Sequence, residues 1–131
     1  MNQPTREETI ARRLERAWET IAEAELLVEH EHWNAAVNRL YYAVFYAANA
    51  YLAANDSSAK THKGTRMAFG TLINGNQAIP EEVVKVYHDL FEERHQADYD
   101  FFMDMEKDLV LPLFEPSRAF IRAVEQAIPR S

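Results

Sequence analysis

The chain has 131 residues, of which 47% are hydrophobic and 27% charged, an ordinary globular composition. At roughly 150 residues per domain it reads as one domain covering residues 1–131. The absence of cysteine excludes disulfides, thiolate nucleophiles and zinc–thiolate sites, and three glycines are too few and too scattered for a dinucleotide or Walker phosphate loop. Fourteen Lys and Arg against 21 Asp and Glu give a net charge of −7, so any nucleic acid must meet a local cationic patch rather than a basic surface. The N-terminus, Met1-Asn-Gln-Pro-Thr-Arg-Glu-Glu8, has no apolar export region. The most apolar stretch, Leu40 to Ala54, contains Asn49, follows Arg39 and is shorter than the roughly 20 residues a membrane span needs. A cytoplasmic protein without membrane association is the expectation.

Thr5 with Glu8 three residues on forms a capping box, which predicts a helix from Arg6. Its apolar positions Ile10, Leu14, Ala17, Trp18, Ile21, Ala24 and Val28 step by three and four. A break at His30–Trp33 leads to a second helix from Asn34 to Ala53, apolar on two sides. One stripe runs Val37, Leu40, Tyr41, Val44, Ala48, Tyr51 and Leu52; the other carries Asn38, Tyr42, Tyr46 and Asn49. Such a helix sits centrally, or faces core on one side and a partner on the other. After the loop Asn55-Asp-Ser-Ser58, a third helix is predicted over His62–Ile73, closed by Asn74-Gly75-Asn76. Pro80-Glu81-Glu82 suits the first turn of a fourth helix with Pro at its first position. Pro112 and Pro116 disfavour an unbroken helix from Met105, and a last helix runs through Phe120, Ile121, Val124 and Ile128. No segment alternates with period two, so the fold class is all-α.

The informative segment is the end of the fourth helix, Glu92-Glu-Arg-His-Gln-Ala-Asp-Tyr99. Continuing the apolar stripe of Tyr87, Leu90 and Phe91 lands on Arg94 and then Asp98. These two can form an i,i+4 ion pair, worth a few tenths of a kcal/mol when exposed. Alternatively, the guanidinium is placed for phosphate, whose oxygens its planar fork of donors matches.

Three pieces, Asn38-Arg-Leu-Tyr-Tyr-Ala43, Thr61-His-Lys-Gly64 and Arg94 with Ala97-Asp-Tyr99, in this order and spacing, resemble the HEPN domains (higher eukaryotes and prokaryotes nucleotide-binding). The resemblance covers Ile10 to Val124 and is to the small stand-alone prokaryotic branch. It implies a four- to five-helix up-and-down bundle that pairs as a homodimer through its central helices. Many such proteins are metal-independent endoribonucleases, often toxins, and many accompany a minimal nucleotidyltransferase.

The family's ribonuclease signature is Arg, then a polar residue, then a His separated from the Arg by four to six residues. Arg94 matches the first and His95 the second, but the terminal position falls on Tyr99, Asp100 or Phe101. A phenol with a pKa near 10 is a poor base where an imidazole exchanges protons near neutrality. The resemblance therefore implies a nucleotide- or RNA-phosphate site of Arg94, Asp98, His62, Asn38 and Arg39, with ribonuclease activity weak or lost. The alternative is an active endoribonuclease using Arg94 with Tyr99 or His95, although His95 points about 100° around the helix from Arg94. His62 reads either as a capping or satisfied histidine at a helix start or as a second group lining the cleft. Arg39 reads equally as a brace paired with a carboxylate or as a ligand contact. Tyr41, Tyr42 and Tyr46 read as core and dimer packing rather than as base-stacking platforms, and the glutamates of the first helix as a solvated face. His30 and His32, two apart, do not share a helix face, and no His-x-x-x-His pair appears, so neither metal nor another cofactor is expected.

Overall fold

The computed structural model describes residues 3–76, 78–99 and 104–129, and within them the side chains of all but residues 75, 76 and 96–99. The element order is α1 (Arg6–Glu29), α2 (Trp33–Ala54), α3 (His62–Asn76), α4 (Glu81–Tyr99), the single turn α5 (Lys107–Val110), a 3-10 turn (Leu111–Leu113) and α6 (Phe114–Ala127). The fold is an all-α helical bundle, with no strand among the described residues. Five of the helices have 14 residues or more.

The capping box at Thr5 forms as expected. Thr5 Oγ1 accepts from the Glu8 amide, and the Glu8 carboxylate accepts from the Thr5 amide, both at 3.1 Å. Helix α2 is the axis of the bundle and packs against α1, α3, α4 and α6. Its residues Val37, Leu40, Tyr41, Val44, Ala47, Ala48 and Leu52 are fully buried. They meet Ala17, Ile21 and Ala24 of α1, Phe69 of α3, Tyr87 and Leu90 of α4, and Phe120, Ile121 and Val124 of α6 in one core. The second side of α2, with Asn38, Arg39, Tyr42, Phe45, Tyr46 and Asn49, is half-buried. The two-sided apolar pattern thus has a physical outcome, because one side closes the core and the other carries the polar and aromatic residues that build the site below.

Three boundaries differ from the sequence reading. Helix α2 already begins at Trp33. Helix α3 runs through Asn74 and Gly75 to Asn76. Gly75 does not take the left-handed conformation of a C-cap, since no described glycine has positive φ, so the Asn-Gly signal does not act as a stop. Pro80 stands just before α4 rather than as its first residue; its carbonyl accepts from the amides of Val83 and Val84 at 3.0 and 3.2 Å. A residue without an N–H costs nothing at either position. The break expected around Pro112 is present as the 3-10 turn. The start of α5 is fixed by Asn34, whose side-chain oxygen accepts from the Met105 amide at 2.7 Å.

Candidate functional site

The site begins with the start of α3. Thr61 caps this helix: its Oγ1 accepts from the Gly64 amide at 2.9 Å, and its carbonyl accepts from the Thr65 hydroxyl at 2.9 Å. A Cβ at Gly64 would stand 2.8 Å from Thr61 Oγ1, so glycine is what allows the capping hydroxyl to approach so closely. The cap fixes the first turn and with it His62, the first residue of α3. The cap belongs to Thr61, and His62 is free for another role.

His62 Nδ1 lies 2.8 Å from the Tyr41 hydroxyl. The imidazole stacks on Phe45, with ring centres 4.3 Å apart and planes 20° apart, and meets Tyr42 edge-on at 5.5 Å. Arg94, half-buried on α4, holds its guanidinium carbon 5.0 Å from the centre of the Tyr41 ring and 5.5 Å from that of Tyr42. Contacts of this kind are worth about 0.5–2 kcal/mol, depending on desolvation. The arginine on the apolar stripe therefore lies against an aromatic floor made by α2, and His62 lies against the same two rings.

Electrostatics follow from this placement. Burial, and next the nearby positive charge of Arg94, pull the His62 pKa below its ordinary value, which favours the neutral imidazole at neutral pH. Burial pushes the Tyr41 hydroxyl up to about 12, against the opposing pull of Arg94 and Arg66. Tyr41 is thus a permanent hydroxyl that engages Nδ1 and leaves Nε2 for another partner.

Arg39 extends the cluster. Its guanidinium carbon is 4.9 Å from the centre of the Tyr42 ring, one nitrogen donates to Asn38 Oδ1 at 3.1 Å, and another lies 3.5 Å from Glu23. Glu23 also accepts from Arg16 at 2.9 Å and is held below the usual carboxylate range, first by that bond. So Arg39 does brace the bundle, as one of its two readings had it, while its ring contact keeps it beside the site. Glu19 and Glu23 are partners of this arginine network, not only a solvated face.

The structure brings Arg94 and His62 together on Tyr41 and Tyr42; Arg39 meets the Tyr42 ring, and Asn38 is linked to the cluster through Arg39. His95 is exposed on α4, turned away from Arg94 by the helical step between adjacent residues. The side chains of Asp98 and Tyr99 lie outside the described residues. The sequence favours packing over base stacking for Tyr41 and does not single out Arg66, which lies 4.1 Å above the Phe91 ring; the available signal is that His62 and Arg66 are four apart and share one face of α3. Chemically, the arrangement offers a guanidinium for an anionic oxygen and a neutral imidazole able to exchange a proton. Among the described residues, no three His, Cys, Asp or Glu side chains cluster in a way that could hold a metal ion, and no helix is long and apolar enough to cross a membrane.

Comparison with known proteins agrees with this architecture. A UPF0332 protein of Thermotoga maritima is 34% identical over 113 residues, 86% of each chain. A protein of Methanocaldococcus jannaschii named "Putative toxin" is 28% identical over 128 residues, 98% of this chain and 94% of its own. A UPF0332 protein of Gloeobacter violaceus is 33% identical over 86 residues, 66% of this chain and 68% of its own. The model of the HEPN domain matches residues 10–127, and the chain belongs to the HEPN family.

Proposed function

We propose that this HEPN protein binds the phosphate of a nucleotide or RNA at the Arg94–His62 cluster, and that its ribonuclease activity is weak because Tyr99 stands where the family signature has histidine. The observation that carries this reading is the placement of Arg94 and His62 on the same two rings, Tyr41 and Tyr42. A half-buried guanidinium beside a neutral imidazole suits an anion that brings its own negative charge into a partly desolvated place. The toxin name carried by one relative supports a role in a toxin–antitoxin-like pair, and a minimal nucleotidyltransferase is the partner we assign to it. The half-buried Tyr42, Phe45 and Tyr46 on the second side of α2 support a homodimer in which two such sites share a cleft.

The test is binding of a fluorescein-labelled single-stranded RNA of twelve nucleotides, read by anisotropy, with ATP as competitor. Saturable binding that weakens with salt and is displaced by ATP is the expected result. No binding of either probe at low salt would overturn the proposal.

A second reading, an active endoribonuclease, draws on His62: an imidazole near Arg94 offers a base for the 2′-hydroxyl in place of the absent histidine. It requires that the wild-type protein cleave RNA and that His62→Gln abolish cleavage while RNA binding persists.

A further inference from the structure

Arg6, Arg12, Arg16, Arg39 and Arg118 each pair with a described carboxylate. Three arginines lack a described carboxylate partner: Arg13, which donates to the Asn49 carbonyl at 3.0 Å, the exposed Arg122, and Arg66 on α3, which is half-buried. The guanidinium carbon of Arg66 is 4.1 Å above the Phe91 ring, and its described hydrogen bond runs to His88 Nδ1 at a long 3.3 Å. Its Nε is buried and finds no acceptor. The Tyr87 hydroxyl, on a residue only 1% exposed, is likewise buried without a partner.

A partly desolvated guanidinium without a carboxylate is costly unless an anion completes it. Arg66 also lies near the Arg94 site. Phe91, which it covers, contacts Tyr41 with ring centres 6.2 Å apart, and the charges of Arg66 and Arg94 both act on the Tyr41 hydroxyl. The surrounding chain is locally cationic: Lys60, Lys63 and Arg66 fall in a stretch with no Asp or Glu between Asp56 and Glu81. A protein of net charge −7 needs such a cationic stretch in order to hold a polyanion.

We propose that Arg66 is a second phosphate-binding arginine, next to Arg94, and that the site takes a ligand with consecutive phosphate groups rather than a lone phosphate. The inference rests on the phosphate-binding reading of Arg94. Two sources share this chemistry, the backbone of single-stranded RNA and the polyphosphate of a nucleotide, and the experiment separates them.

Binding of the labelled twelve-nucleotide RNA, of ATP and of inorganic phosphate is measured for wild type, Arg66→Gln, Arg66→Lys and Arg94→Lys, with melting temperatures alongside. Wild type should bind RNA, ATP or both, and more tightly than inorganic phosphate. Arg66→Gln should weaken that binding about tenfold; where RNA is the ligand, it should also reduce the slope of log affinity against log salt by about 0.7, the share of one phosphate contact on a single strand. Arg66→Lys keeps the charge and should keep the slope while losing affinity, and this variant carries the test if Arg66→Gln melts early. Loss with RNA alone assigns the backbone, and loss with ATP alone assigns the nucleotide. Affinity and slope equal to wild type in Arg66→Gln, with Arg94→Lys weakened, would overturn the role of Arg66 and leave that of Arg94 standing. No binding of any probe by wild type would remove both.

Discussion

The imidazole of His62 and the hydroxyl of Tyr41, 21 residues apart in the chain, meet at 2.8 Å and join the start of α3 to the axis of the bundle. Tyr41 is fully buried, so its ring closes the core while its hydroxyl positions a side chain of the site. Replacing Tyr41 by Phe keeps the ring and removes the bond. The expected cost is about 1 kcal/mol, the usual net worth of such a hydrogen bond, or ~4 °C in melting temperature for a chain of this size. A melting temperature unchanged in Tyr41→Phe would show that the bond contributes nothing to stability.

His62 also sets a pH dependence. Its pKa in the folded chain lies below its ordinary value, near 6.5, so the unfolded chain binds the proton more readily. Stability must then rise with pH across this window and fall on acidification through and below pH 6.5. The positive charge of Arg94 is one cause of the lowering. Arg94→Gln should therefore raise the His62 pKa, read from its ring protons by NMR, and make the loss of melting temperature between pH 7.5 and 5.5 shallower. His62→Gln should remove the His62 share of that loss altogether. An unmoved His62 pKa in Arg94→Gln would contradict the proximity of the two groups.

Much of the fold is legible from the chain because its signals are local. The Thr5–Glu8 box, the three-and-four spacing of α1 and the doubly apolar pattern of α2 each specify an element from a few neighbouring residues. Asn74-Gly75 misleads because a C-cap depends on the conformation that glycine adopts, and here glycine stays helical. The site is less legible. Arg94 is marked by its place on an apolar stripe, yet the floor beneath it comes from Tyr41 and Tyr42, 53 and 52 residues away in the chain. Arg66 is marked only by sharing a helix face with His62, since an arginine on a helix is unremarkable until it is seen to have no carboxylate partner among the described residues.

The proposed loss of the signature histidine at Tyr99 has its own test. Tyr99→His would restore a group that titrates near neutral pH, and cleavage of a labelled RNA should rise above that of wild type. If wild type already cleaves efficiently and Tyr99→Phe does so equally well, the tyrosine does not limit activity.

The half-buried aromatic side of α2 leads to an expectation about assembly. Sedimentation at tens of micromolar should give twice the 15.2 kDa chain mass, and Tyr46→Glu, which places a charge on that side, should shift the equilibrium toward monomer. A wild-type monomer at that concentration would contradict the shared cleft.

Phosphate binding by Arg94 is tested most directly by Arg94→Lys, with RNA affinity and melting temperature measured on the same preparation. Lysine retains the charge and much of the aliphatic stem but loses the bidentate fork. Affinity should fall about tenfold, with the melting temperature within ~2 °C of wild type. Affinity equal to wild type would contradict a phosphate at Arg94 and leave it as a structural cation over Tyr41 and Tyr42.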